Sequence, residues 1–209
     1  MSDYISNYAS KSGGLIEIES MIRRDPFDEE GGKVKFFAFI TSFSDSMTSN
    51  WNEEQVYGRQ DPIGTFQSTQ RKISLGFDVP SANLDEAKER LDMINKVKQF
   101  MYPAYSTAAT NETTTNALSL AKSPLVRIKF ANLLENGEGE GLLGWIGSFS
   151  ATPAIDMGMF NEKRLLYPKV YSVSLDFTPQ HEFDLGYKPD GESIDPKFTS
   201  FPYAGGKPS

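Results

Sequence analysis

A strict alternation of apolar and polar residues in two separate stretches constrains the fold of this chain more than any other feature. The apolar positions are Ile73, Leu75, Phe77 and Val79 in the first stretch, and Tyr171, Val173, Leu175 and Phe177 in the second. Because successive side chains of a strand point to opposite faces, a period of two places all the apolar residues on one face. The sequence therefore predicts two strands that each bury one face.

Shorter stretches of the same character surround these two strands. They predict further strands in residues 15–23, 33–44, 124–132 and 142–152. In residues 33–44 apolar side chains occupy both faces, so we expect that strand to be covered on both sides. The acidic glycine-rich run ENGEGEG, residues 135–141, predicts the turn of a hairpin between the third and fourth of these strands.

One segment has the spacing of an amphipathic helix. Asn83 followed by Glu86 is typical of a capping box at a helix N-terminus. The apolar residues that follow recur every three or four positions, at Leu84, Ala87, Leu91, Ile94, Val97 and Met101. Tyr102-Pro103 ends the pattern. The sequence predicts a mainly β (α+β) fold, an antiparallel β-sandwich or barrel with one flanking helix at about residues 84–101.

Two regions lack any such pattern. Residues 106–123, rich in Thr, Ala and Asn, predict a mobile excursion, and residues 179–209 combine prolines, glycines and aromatics without a period. We therefore divide the chain of 209 residues into a β domain with an N-terminal arm, residues 1–178, and an extended C-terminal tail, residues 179–209.

Composition excludes several functions. The formal net charge of −7 argues against a protein that grips nucleic-acid phosphates. The absence of cysteine excludes disulfides, thiolate zinc sites and iron–sulfur clusters. We expect no signal peptide, because the N-terminal residues have neither a basic nor an apolar region, and no membrane span, because no apolar run is long enough. The sequence indicates a soluble protein made in the cytoplasm.

Candidate catalytic residues are few. His181 is the only histidine, and no Gly-x-Ser-x-Gly motif accompanies it, so a Ser–His–acid arrangement is not supported. The acidic runs DPFDEEGG and ENGEGEG lack the ligand spacing of an EF-hand. Paired carboxylates of a glycosidase stay open, because they need only be neighbours in space. We predict no catalytic residue, no cofactor and no metal ligand.

The segment from Trp51 to Arg71 instead suggests an interface. It carries Trp51, Tyr57, Arg59 and Arg71, and Asp61 lies in its Gly-Arg-x-Asp-Pro turn. Aromatic and guanidinium side chains dominate the energetic hot spots of protein interfaces. We expect a long loop that contacts another subunit, the alternative being an Ω-loop folded on its own domain.

The C-terminal tail carries a second set of candidate interface residues, Phe183, Tyr187, Phe198, Phe201 and Tyr203. Their irregular spacing among prolines cannot place them on one face of a helix or strand. Leaving them all in water is unfavourable by about 25 cal/mol per Å² of apolar surface. We therefore expect the tail to dock on another protein surface.

The order of these motifs resembles the tube-forming domain of bacteriophage baseplate and tail-tube-initiator proteins, without their LysM module. The similar features span roughly residues 30–178. They are Asp45-Ser46, Trp51, Tyr57-Gly58-Arg59-x-Asp61-Pro62, Thr69-x-Arg71, the helix rich in Glu and Lys, Tyr102-Pro103 and the later strand GLLGWIGSFSATP.

The resemblance implies a structural, non-enzymatic virion protein of the tail or baseplate, assembled in the host cytoplasm. It would form a homohexameric ring that initiates or continues the tail tube, contacts neighbouring tail-tube and baseplate proteins, and gives passage to DNA. An acidic chain suits a channel to which DNA must not adhere. Two alternatives stay open: a carbohydrate-binding β-sandwich that recognises a receptor, and a glycosidase-like or peptidoglycan-cleaving enzyme of the tail.

Overall fold

The computed structural model describes residues 15–22, 32–107, 118–136 and 139–203, and within them it is mainly antiparallel β-structure with one α-helix. The strands are β1 (Leu15–Ser20), β2 (Lys33–Phe37), β3 (Phe39–Glu54), β4 (Ile63–Pro80), β5 (Ala104–Thr107), β6 (Leu118–Lys122), β7 (Val126–Phe130), β8 (Leu142–Pro153), β9 (Met159–Glu162), β10 (Leu165–Pro168) and β11 (Val170–Pro179). The α-helix is α1 (Leu84–Phe100), and 3-10 helices occupy Ile155–Met157 and Pro196–Ser200.

Seven strands form one sheet in the order β2-β1-β7-β8-β11-β4-β3, with every pair antiparallel. The two edge strands, β2 and β3, are joined through Ala38 alone. A sheet whose first and last strands are one residue apart in the chain must curl round on itself. Phe36 of β2 accordingly packs on Phe77 of β4, with ring centroids 5.6 Å apart. The predicted β-sandwich or barrel with one helix is confirmed.

The two alternating stretches are central strands of this sheet, β4 and β11, paired in register from Val170 opposite Pro80 to Phe177 opposite Ile73. All eight of their apolar side chains are buried, as the period of two predicts. On the outer face the Asp176 carboxylate accepts hydrogen bonds from Ser74 Oγ at 2.7 Å and from Ser148 Oγ at 2.6 Å. These two bonds lower the pKa of Asp176 below its usual value.

The helix forms where the sequence predicts it. Asn83 Oδ1 accepts a hydrogen bond from the backbone N–H of Glu86 at 2.8 Å, and the Glu86 carboxylate accepts one from the N–H of Ala82 at 3.0 Å. The first bond satisfies a donor that a helix leaves free at its first turn, and the second fixes the residue before the cap to the helix. The buried face carries Ala87, Ile94, Val97 and Phe100, and the helix ends one residue before the predicted Met101. The opposite side of α1 reaches the β9–β10 hairpin through an ion pair of 2.5 Å between Lys88 and Glu162.

Two expectations are wrong, and several segments of the chain lie outside the described residues. The apolar run at residues 33–44 is two strands, and it is not covered on both faces, since Phe39 is 72% exposed where the chain turns from one edge to the other. The predicted mobile excursion contains β6 and the last two residues of β5, and these two strands pair as a ribbon. The N-terminal arm before Leu15, residues 108–117 and the acidic run at residues 25–31 lie outside the described residues.

β7 and β8 pair antiparallel, as expected for a hairpin between those strands, and residues 137–138 of the predicted turn lie outside the described residues. Within the described part of the chain, no helix is long and apolar enough to span a membrane.

Candidate assembly surface

A long hairpin of β3 and β4 projects from the sheet. The two strands pair from Phe39 opposite Asp78 out to Glu54 opposite Ile63, whereas β11 accompanies β4 only as far as Ile73. Residues 46–72 therefore form a two-stranded ribbon closed by a loop at residues 55–62. The ribbon extends about 30 Å beyond the sheet, since a strand rises roughly 3.3 Å per residue. The expectation of one long loop from Trp51 to Arg71 is wrong, because only its middle is irregular.

The ribbon has large apolar side chains in water. The exposed ones are Met47, Trp51, Val56, Tyr57, Ile63 and Phe66. Trp51 and Phe66 pack edge to face across the strands with centroids 5.3 Å apart, and the indole Nε1 of Trp51 donates to Ser49 Oγ at 2.8 Å. These contacts hold the two rings as one exposed apolar surface.

The loop at the end of the ribbon contains three of the predicted interface residues, Tyr57, Arg59 and Asp61. All three are exposed. The chain reverses at Gly58, whose φ of 82° lies in the left-handed region, and the N–H of Arg59 donates to the carbonyl of Val56 at 3.1 Å. Their exposure leaves these side chains available to a neighbour, and their interface role stays a prediction.

Arg71, at the base of the ribbon, is placed differently. Its Nε donates to Asp45 Oδ1 and Oδ2 at 3.0 and 3.1 Å, and its Nη2 donates to Oδ2 at 2.6 Å. The two side chains are only 3% and 5% exposed. The expectation that Arg71 offers its guanidinium to another subunit is wrong, because this fork-to-fork pair uses the guanidinium within the chain. Nη1 of Arg71 has no hydrogen-bond partner among the described residues.

The C-terminal tail covers this ion pair. The ring centroids of Phe201 and Tyr203 lie 5.3 and 5.9 Å from the Arg71 guanidinium carbon, and the carbonyl of Pro202 accepts a hydrogen bond from Arg71 Nη2 at 3.3 Å. Burial, followed by the negative charge of Asp45, raises the pKa of Tyr203 above its ordinary value.

His181 joins the same cluster from the start of the tail. Its ring lies edge to face against Phe201 at 5.0 Å and tilted against Phe183 at 5.7 Å. Burial lowers the pKa of His181, and the positive charge of Arg71 lowers it further. Its Nε2 is inaccessible and has no partner among the described residues. The imidazole therefore packs among aromatic rings in surroundings that disfavour its charged form.

The other predicted tail residues also find partners within the chain. Phe198 stacks on Phe201 at 5.7 Å, and Tyr187 lies edge to face on Phe198 at 5.2 Å while staying 68% exposed. Up to Tyr203 the tail is thus folded back, not extended. Turns gather the rings that no single helix or strand face could hold, since the 3-10 helix at Pro196–Ser200 brings Phe198 beside Phe201.

Sequence reasoning missed two members of this cluster. Asp45 was part of the resemblance and His181 was considered as a catalytic residue, but the contact of Asp45 with Arg71 spans 26 positions, and the tail that covers the pair reaches Arg71 from Pro202, 131 positions away. Asp45 lies in the Asp45-Ser46 motif of the resemblance and His181 lies two residues before Phe183, and neither placement specifies a contact.

Ionisable groups elsewhere are largely used within the chain. A polar cleft of about 260 Å³ beside β1 and β7 carries Lys33, Arg127 and Lys129. Lys33 pairs with Glu17, Arg127 with Glu140 and Glu182, and Lys129 with Glu135. No group of three or more His, Asp or Glu side chains in the described ranges could hold a metal ion.

Comparison with known proteins does not assign the chain to a family, since no family model matches it and no curated protein gives a significant match.

Proposed function

We propose that this chain is a structural subunit of a bacteriophage tail or baseplate that assembles with copies of itself into a six-fold ring. The ring initiates or continues the tail tube and gives passage to DNA. Its partners are neighbouring copies and the tail-tube and baseplate proteins above and below, and its place is the virion. The sequence resemblance supports the phage assignment, and the projecting hairpin supports assembly.

The ribbon of residues 46–72 is the observation that carries the proposal. An isolated two-stranded ribbon is at best marginally stable in water, because neither face is covered. This one carries exposed Trp51, Ile63 and Phe66 well away from the core. A neighbour that packs against it removes that apolar surface from water, which stabilises both the ribbon and the assembly.

The outer edges of the sheet support the same conclusion. Among the described residues, β3 beyond Asp45 pairs only with β4, so within that part of the chain its other side presents unpaired backbone groups. Long exposed edges invite pairing with another chain, and a closed ring uses them without open-ended aggregation. The net charge of −7 is compatible with a lumen through which DNA moves without adhering.

Mass measurement and imaging of the purified protein test the proposal. Six copies of the 23.3 kDa chain give a particle of about 140 kDa, visible as a ring or as stacked rings by electron microscopy. We expect no hydrolysis of peptidoglycan or glycans by the pure protein.

A monomer at all concentrations, or a closed particle of another symmetry, contradicts the ring. Monomers that bind glycans would favour a carbohydrate-binding module of the tail instead. Turnover that a single carboxylate substitution abolishes would establish an enzyme.

A further inference from the structure

The turn between β9 and β10 is an unusual hairpin turn. Glu162 pairs with Leu165, so Lys163 and Arg164 form a two-residue loop. Their φ angles of 47° and 73° both lie in the left-handed region. A tight turn with two such residues normally takes Asn-Gly, because larger L-residues are strained there. The turn has instead two long cationic side chains.

The surroundings of these cations leave them unpaired and beside apolar surface. Lys163 and Arg164 are exposed, and neither has an ion-pair partner in the described ranges. The neighbouring carboxylate of Glu162 is already paired with Lys88. Leu165 and Leu166 follow directly and are 57% and 60% exposed. We define residues 163–166 as the basic turn, an apolar surface that carries two free positive charges.

The end of the projecting hairpin has the complementary character. Glu53, Glu54 and Asp61 are exposed with no ion pair among the described residues, and Arg59 is the one cation beside them. Three carboxylates and one guanidinium give this end a net charge of −2. Exposed Val56 and Ile63 adjoin the charges. We define residues 53–63 as the acidic tip.

The two surfaces cannot meet within one chain. β4 leads from the acidic tip at Ile63 to Pro80, and Pro80 pairs with Val170, two residues after β10 ends. The basic turn belongs to the hairpin at that far end of the sheet. A strand of 18 residues spans about 60 Å at roughly 3.3 Å per residue. A contact between the acidic tip and the basic turn therefore has to join two copies of the chain.

We propose that the acidic tip of one copy seats on the basic turn of the next copy. This inference rests on the self-assembly proposed above and names the surface that receives the hairpin. The contact joins two different surfaces, so it is a head-to-tail contact of the kind that closes into a ring when the rotation between copies allows. Opposite charges set the register, and the exposed leucines, Val56 and Ile63 supply the apolar contact.

Charge reversal tests the pairing directly. The tip variant is Glu53→Lys with Glu54→Lys, the turn variant is Lys163→Glu with Arg164→Glu, and the swap variant combines all four. Each reversal places like charges together, and we expect association to weaken on the order of tenfold or more, as measured by sedimentation at low salt. The swap variant restores the attraction and should associate nearly as the wild type does.

A matched control changes the same number of charges elsewhere. Lys96 and Lys98 are exposed on α1, and Lys96→Glu with Lys98→Glu alters the net charge as much as the turn variant does. This control should associate as the wild type does. Circular dichroism confirms that each variant folds.

A second variant separates charge from folding. Lys163→Asn with Arg164→Gly relaxes the left-handed turn, so it should raise the melting temperature while it weakens association. If Lys163 and Arg164 act only in forming the turn, this variant should raise the melting temperature and leave association unchanged.

The outcomes distinguish this inference from the proposed function. If the wild type assembles and the turn variant assembles equally well, or if the swap variant does not recover, the pairing is wrong and the ring stands. If the wild type never associates, both are wrong.

Discussion

Replacing Asp45 with alanine tests the role assigned to the buried ion pair at the base of the hairpin. Arg71 directs Nε and Nη2 at the Asp45 carboxylate, and the tail shields both side chains from water. Asp45→Ala leaves a guanidinium in that site with the carbonyl of Pro202 as its one acceptor among the described residues. The remaining charge must either stay buried without its counter-ion or displace the tail to reach water.

The expected loss of stability is large. Breaking a buried ion pair by removing one partner costs about 3–5 kcal/mol, because an uncompensated charge stays behind. For a chain of this size 1 kcal/mol corresponds to about 2–4 °C in melting temperature, so a decrease of about 6–20 °C is expected. Removing both charges together, by Asp45→Leu with Arg71→Met, should bring stability back to within about 1 kcal/mol of the wild type.

Urea unfolding followed by tryptophan fluorescence measures both variants, with Asp61→Ala as the control. The Asp61 carboxylate is exposed and unpaired among the described residues, so its loss should change stability by less than about 0.5 kcal/mol. If Asp45→Ala loses less than about 1 kcal/mol, or if the double variant is less stable than the single one, the argument from a buried uncompensated charge is wrong.

Three further predictions follow from individual contacts. The pKa of His181 is lower in the folded chain than its ordinary 6.5, so the stability that the neutral imidazole contributes is present above pH 6.5 and is lost as the pH falls through the folded pKa. Limited proteolysis should show that cleavage of the tail increases in that pH window, and His181→Phe should abolish this pH dependence. A Cβ at Gly144 would lie 2.2 Å from the carbonyl oxygen of Thr178, so Gly144→Ala should push β8 away from β11. Chemical denaturation should show a loss of stability of about 2 kcal/mol or more, and an unchanged stability would mean that the strands move apart without cost. Arg59→Ala makes the acidic tip more negative but removes a guanidinium that contacts the neighbour, and we expect the lost contact to outweigh the added attraction. Assembly, measured by sedimentation, should weaken by about 2 kcal/mol with an unchanged melting temperature, and assembly equal to or stronger than that of the wild type would remove Arg59 from the interface.

The elements with a strong period were predictable from the sequence. β4, β11 and α1 each place apolar side chains on one face. Such an element is stable only with that face buried against the core, so its type and its buried residues can be read from the sequence. The capping contact between Asn83 and Glu86 is likewise local, joining residues three positions apart.

The outer half of the hairpin was not predictable in the same way. Residues 46–54 and 63–70 are rich in Ser, Thr, Asn and Gln with scattered apolar residues, a composition that also suits a loop. Their pairing is fixed by the inner half of β3 and β4, whose register is set by the buried face and propagates outward along the ribbon.

By itself the sequence determined the buried faces of β4 and β11, the helix, the mainly β class and the aromatic and charged composition of the candidate surface. Only the tertiary structure decided which candidates stay exposed: Tyr57 and Arg59 at the end of the hairpin do, whereas Arg71 is buried against Asp45 beneath Phe201. The physical reason is that periodicity reports how a residue sits relative to its near neighbours in the chain, while the burial of a charge depends on partners that folding brings from far along it.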